Sequence, residues 1–256
     1  MPFIFIWAVV GLCFGSFANV LVYRLPRKIS IVKPPSACPA CKLGIAAYDL
    51  LPLISHMLLK GRCRKCNARI SPRYLIAELA CAILFMGMLF FTGFPSAIFL
   101  SILAFILLVI SLIDWDTQEI PDGLLLTALG IGIAWVTIGN LTTVFSRVPG
   151  FIDAVVGILA GATPLLIIDR LVLALFKKDA FGYGDVKLMA VAGLYLGVGG
   201  VLMAFFFAFV AGGVFATFLL VTGRAKRGTY IAFGPFLCGG IITALWLGPA
   251  LRGLLT

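Results

Sequence analysis

The chain has 256 residues, 62% of them hydrophobic, and a mean hydropathy of +1.15. That composition excludes a soluble globular domain and fits a polytopic membrane protein with one polar insertion. The net charge of +10 reads as topology-fixing lysine and arginine in contact with anionic lipid, and no basic–aromatic interleaving argues for nucleic acid.

The first apolar run is Phe3 to Val22. No Lys or Arg precedes it, and Arg24, Arg27 and Lys28 follow it. A cleavable secretory signal has the opposite charge order. The run therefore predicts an uncleaved span with the N-terminus outside and the next loop inside. Residues 24–73 form the polar insertion, with eleven Lys and Arg, prolines that include Pro34, Pro35 and Pro39, and no sustained helical period. Apolar burial alone cannot hold so small a segment together. From Tyr74 on, the apolar runs are Leu75–Phe91, Ala97–Ile113, Leu124–Ile138, Phe151–Phe176, Val186–Val221 and Ile231–Leu247. As one helix, residues 186–221 would be about 54 Å long against a hydrocarbon core of about 30 Å. They predict two spans turning near Gly197–Gly200.

The expected fold is an all-α polytopic membrane protein of about eight transmembrane helices. Residues 1–23 form the first span, 24–73 a small cytoplasmic domain, and 74–256 the remaining membrane domain. With the N-terminus outside, the inside loops 24–73, 114–123, 177–187 and 223–230 hold seventeen Lys and Arg. Only Arg147 and Arg252 fall outside, a strong positive-inside asymmetry. No internal sequence repeat is evident.

Within the insertion, Cys38-Pro-Ala-Cys41 and Cys63-Arg-Lys-Cys66 give CxxC…CxxC with 21 residues between. Four thiolates at this spacing can close a structural tetrahedral zinc site. A redox pair or four free thiols are the alternatives. The insertion lacks the βαβ context of a redox fold and needs a staple. A reducing cytosol disfavours disulfides. His56, the only histidine, reads as fold-supporting or as a membrane-surface contact.

Ser111–Asp122, SLIDWDTQEIPD, carries Asp114, Asp116, Glu119 and Asp122, four of the chain's ten acids. Asp114 lies closest to hydrocarbon, where an ionised carboxylate is costly unless it lines a polar cavity. It is either a catalytic or ion-handling group or part of a solvated turn. Phe181–Met189, FGYGDVKLM, offers Asp185 behind Gly182 and Gly184, as a site or as a helix cap. The charge-derived topology puts Asp114 and Asp185 on the same side at similar depth. Two facing carboxyls that share a proton are the equipment of an aspartic protease. Helix-end dipoles predict Asp185 as the ionised base and Asp114 as the protonated acid. Glu78, near the start of the second span, either contacts substrate or cofactor or pairs with Arg73 or another interfacial cation. Asn19 is expected to bond across helices. A proton-coupled transporter using Asp114, Glu78 and Asp169 as relay groups is the alternative, and a zinc-stabilised scaffold a third. The transporter reading has no natural explanation for the cysteine module or the GYGD motif, and the scaffold reading predicts that substitutions of both aspartates are silent.

These residues resemble the bacterial type IV prepilin peptidases. Gly15-Ser-Phe-Ala-Asn-Val20 and Tyr23-Arg-Leu-Pro26 are similar to the family's first-span motif. The cysteine module with Asp49, Pro52, Ser55 and Gly61–Cys63 is similar to its cytoplasmic domain. Asp114 stands seven residues ahead of the Pro in the IPD motif, Asp185 ends the GxGD motif, and Phe233-Gly-Pro-Phe236 matches a last-span motif. The chain departs from the pattern at Leu50, where many members have Asn, and at Ala232, often Pro. The resemblance implies a GxGD aspartic endopeptidase of the bacterial inner membrane, with Asp114 and Asp185 catalytic. It would cut the basic leader of prepilins or pseudopilins after a Gly at the cytoplasmic face. N-methylation of the new N-terminus with S-adenosylmethionine is implied as well. Gly182, Gly184, Glu78, Lys187, Asp116, Glu119 and Asp122 are the expected substrate or cofactor contacts.

Overall fold

The computed structural model describes residues 2–38, 40–142, 144–145, 148–177, 181–224 and 231–255. Arg147, Lys178, Lys226 and Arg227, which contribute to the charge asymmetry, lie outside the described residues. Secondary structure is helical, with no strand among the described residues. The elements are α1 Pro2–Arg24, a 3-10 turn Ala47–Leu50, α2 Ile54–Leu58, α3 Pro72–Thr92, α4 Ser96–Thr117, α5 Asp122–Leu141, α6 Phe151–Phe176, α7 Tyr183–Val221 and α8 Gly234–Leu255. Six of these, α1 and α3 to α7, are long and apolar enough to cross a membrane, and α8 adds a shorter apolar stretch, Gly234–Gly248. Phe3, Val9, Phe90, Ile152, Phe206 and Val221 are all exposed, as side chains facing lipid would be.

α7 counts once among the six but consists of two helices. Gly197 has φ +66° and ψ −176°, a backbone essentially restricted to glycine. Phe181, just before α7, packs against Phe209, with ring centroids 6.4 Å apart. A straight helix would separate positions 181 and 209 by about 42 Å. The chain therefore doubles back at Gly197, the first residue of the expected break. Asp153 of α6 holds the bend, its Oδ1 accepting the Val198 N–H at 3.0 Å. This caps the returning helix much as an N-cap residue would. Asp153→Ala should lower the thermal unfolding temperature in detergent, through loss of a charge-assisted bond worth about 1.5–3 kcal/mol. An unchanged melting curve would show that the bend does not need it.

Two boundaries differ from the sequence expectation. α8 begins at Gly234 rather than Ile231, because Pro235 fits a first helical turn. α7 begins at Tyr183 with Gly182 as its N-cap, so Asp185 is a first-turn residue and not the cap.

The chain divides into two compact units, Met1–Phe90 with Leu100–Val109, and Phe91–Phe99 with Ile110–Thr256. In the first, α1 and α3 run antiparallel. A Cβ at Gly11 would stand 2.7 Å from the Ala82 Cα, and one at Gly15 2.5 Å from the Glu78 Cα. One turn on, Asn19 Nδ2 donates to the Tyr74 carbonyl at 3.1 Å, the expected cross-helix bond. Phe14 packs on Phe85 and Phe105. In the second unit α7 is central. α5 runs parallel to its first half, with the Tyr195 hydroxyl donating to the Ala128 carbonyl at 2.6 Å. α6 runs antiparallel to that half, with the Gly157 and Gly193 backbones in contact, and α8 lays Gly240 on Ala204 and Ala208 of the returning half.

Candidate active site and cysteine module

The sulfurs of Cys38, Cys41, Cys63 and Cys66 all lie within 4.8 Å of one another, and Cys38 Sγ is 3.8 Å from Cys66 Sγ. Thiolates bound tetrahedrally at about 2.3 Å from a zinc ion stand about 3.8 Å apart. The donor set and spacing thus fit such an ion. The scaffold is one turn used twice. The Cys38 N–H donates to the Leu43 carbonyl at 3.0 Å, and the Cys63 N–H to the Ala68 carbonyl at 2.9 Å. Lys42 and Asn67, each following the second cysteine of its pair, have φ of +61° and +58°. Bridges Ala37–Gly44 and Arg62–Arg69 close the two turns. The copies share little beyond their cysteines, so the repeat is invisible in the sequence.

The N–H groups of Cys41 and Ala40 point at the Cys38 sulfur and pull its thiol down to about 6. The Ala68 N–H acts the same way on Cys66, but burial and the three neighbouring sulfurs outweigh it and push that thiol up to about 11. Because the thiolate is the ligand, metal uptake at neutral pH would displace protons, and acid would reverse it. Arg64 reaches from the second turn to both oxygens of Asp49 at 2.7–3.1 Å. Its guanidinium holds the Asp49 carboxyl below the usual range.

Asp114 lies in the last turn of α4 and Asp185 in the first turn of α7. Both are buried, at 6% and 9% exposure, and they are close enough to interact electrostatically. The buried Cys238 thiol of α8 lies within electrostatic reach of both. Three helices thus converge on the pair. Asp114 Oδ2 accepts the Gly234 N–H at 2.9 Å. A Cβ at Gly234 would stand 2.6 Å from that oxygen, so only glycine lets the α8 backbone come this near. Asp114 therefore sits at the C-terminal end of one helix and the N-terminal end of another. Helix ends alone no longer distinguish the two carboxyls. The sequence marks Gly234 as part of a motif without indicating this role.

Around the pair, Gly184 fits against Ile120, where an added Cβ would fall 2.9 Å from the Ile120 Cβ. Asp116, Glu119 and Asp122 are exposed. Asp122 Oδ1 pairs with Lys187 Nζ at 2.7 Å, and both side chains face out, a pair worth about 0–1 kcal/mol. Asp122 is thus already matched by a cation. Asp169 is buried, and its Oδ1 accepts the Phe181 N–H at 3.3 Å. That bond anchors the segment leading into α7. Glu78 is buried, and its Oε2 accepts the Leu53 N–H at 2.8 Å. Among the described residues no Lys or Arg pairs with it.

Residues 9–92 match the bacterial peptidase A24 N-terminal domain, and residues 101–217 match the type IV leader peptidase family. The chain is 34% identical over 268 residues to a prepilin leader peptidase/N-methyltransferase of Pseudomonas putida, covering 95% of this chain and 91% of that one. A protein of the same description from Klebsiella pneumoniae is 41% identical over 195 residues, covering 73% of this chain and 82% of that one. One from Bacillus subtilis (strain 168) is 32% identical over 248 residues, covering 95% and 94%. No solved structure matches the chain.

Proposed function

The chain belongs to the type IV leader peptidase family, and we propose that it cuts the basic leader from prepilin-like proteins, using Asp114 and Asp185 as its acid–base pair. The observation that carries this reading is the convergence of two buried, electrostatically interacting carboxyls from α4 and α7. One carboxyl takes a proton from water as the oxygen attacks the scissile carbonyl. The other gives its proton to the carbonyl oxygen. The first then passes the proton it took from water to the leaving amine as the C–N bond breaks, and a hydroxyl of the tetrahedral intermediate returns a proton to the second as the carbonyl re-forms. The Gly234 N–H fixes the orientation of Asp114. Gly182 leaves room for a substrate backbone beside Asp185, and Gly184 lets Ile120 close on the same turn. Asp116, Glu119 and Asp122 attract the basic leader, which displaces cations such as Lys187.

The cut falls after a Gly, on the cytoplasmic side of the inner membrane of a bacterium, with the N-terminus outside. The positive-inside asymmetry supports that orientation. Relatives described as both leader peptidase and N-methyltransferase support a second activity, methylation of the new N-terminal amine, for which S-adenosylmethionine supplies the methyl group. The four cysteines hold a structural zinc ion that braces residues 24–73. Purified protein should carry a single zinc ion per chain by elemental analysis. Cys38→Ser and Cys63→Ser should each lose it, and full zinc retention in either would reject the four-thiolate site. Incubation with a prepilin and labelled S-adenosylmethionine tests both activities. Leader loss by mass and label on the mature product are expected, and an intact prepilin would reject the peptidase reading.

A further inference from the structure

The segment between the two cysteine turns is built inside out for water. Leu51, Ile54, Met57 and Leu58 are exposed, the last two at 67% and 75%, and α2 has no buried residue. The polar side chains of the same stretch turn inward. The Ser55 hydroxyl donates to the Leu51 carbonyl at 2.7 Å, and the His56 ring lies against Gly61 within electrostatic reach of Glu78. An exposed apolar surface with a polar rim marks a contact site. The depth of this one is set by the spans. The Leu53 N–H donates to Glu78 Oε2 at 2.8 Å, and the Glu78 backbone faces Gly15 of α1. Glu78 lies about 9 Å along α3 from Pro72, and Gly15 about 13 Å along α1 from Arg24. A Glu side chain and one hydrogen bond together reach less than about 8 Å. Leu53 therefore lies between the ends of the two spans and not above them, alongside the part of α3 that exposes Ile76 and Leu79.

We propose that residues 50–58 dip into the bilayer leaflet in which α1 ends and α3 begins, with Leu51, Ile54, Met57 and Leu58 among the lipid acyl chains. Interfacial segments of this kind bury an apolar face about 5–10 Å into the headgroup–acyl boundary. The flanking surface suits the headgroups. Lys60, Arg62 and Lys65 are exposed, and Asp49, the only acid in residues 24–73, is already matched by Arg64. Anionic lipid phosphates thus meet uncompensated cations around an apolar foot. The contact continues the lipid-facing surface of α3, so the bilayer that the spans cross also covers these side chains. It fastens the four-cysteine module to the membrane face at a point outside the spans themselves. The inference needs neither the peptidase nor the methyltransferase reading.

The test uses full-length wild-type protein in vesicles of phosphatidylcholine and phosphatidylglycerol that carry a diazirine in the acyl chains. After irradiation, mass spectrometry of the fragments locates the lipid adducts. Residues 50–58 should take up label as the lipid-facing stretch 76–83 does. They should exceed the second cysteine turn, residues 63–68, by about tenfold or more, since burial of even one large apolar side chain is favoured by that factor. Label on 76–83 with none on 50–58 overturns the proposal, whether water or a second copy of the chain covers the patch. Leu58→Trp reads the same contact optically. Brominated acyl chains should quench the fluorescence that this variant adds to wild type, and aqueous iodide should not. Quenching by iodide, or by neither agent, would overturn the proposal as well.

Discussion

Asp114→Asn and Asp185→Asn should each slow leader cleavage by about 10³-fold, within the range that positioned acid–base groups contribute. Asn keeps the size of Asp and can still accept a hydrogen bond from Gly234 N–H, so the fold should survive. The double variant should be scarcely slower than either single one, because the two groups act as a unit. Initial rates of prepilin processing in detergent, with zinc content and melting temperature as fold controls, measure this. Losses that multiply in the double variant would mean that the carboxyls work independently.

Gly234→Ala should cost about 100-fold in cleavage, the penalty for a catalytic group displaced by about 1 Å. The new methyl would stand 2.6 Å from Asp114 Oδ2, so either Asp114 rotates or α8 retreats. Both outcomes break the 2.9 Å bond from the Gly234 N–H. Gly239 of the same helix provides the control, because nothing lies within 4 Å of a Cβ placed there. Gly239→Ala should keep its activity and gain about 0.5–1 kcal/mol from helix propensity. Equal activity in the two variants would show that the contact between α8 and Asp114 does not matter.

The membrane helices are legible because their signal is local. Phe151–Phe176 coincides with α6, and a run too long for the bilayer predicts the bend at Gly197. The cysteine cluster is legible because CxxC spacing encodes its own geometry. Contacts between distant segments are not. Gly234 meets Asp114 across 120 residues of sequence, and nothing in FGPF says which acid its N–H will face. Lys187 and Asp122 pair because α5 and the first half of α7 run parallel, a relation set by packing. The repeated cysteine turn depends on two left-handed residues. Asn67 is a residue type that favours that conformation, whereas Lys42 is not, so the likeness surfaces only in the backbone. Asp185 within its helix, and not ahead of it, reflects Gly182 taking the cap.

The central claim is that Asp114 and Asp185 titrate as one coupled pair. Infrared titration of the carboxyl bands in wild type, Asp114→Asn and Asp185→Asn tests it most directly. The account predicts that the carboxyl remaining in each single variant titrates at a different pH from either step of the wild type. A wild-type curve equal to the sum of the two single-variant curves would contradict it.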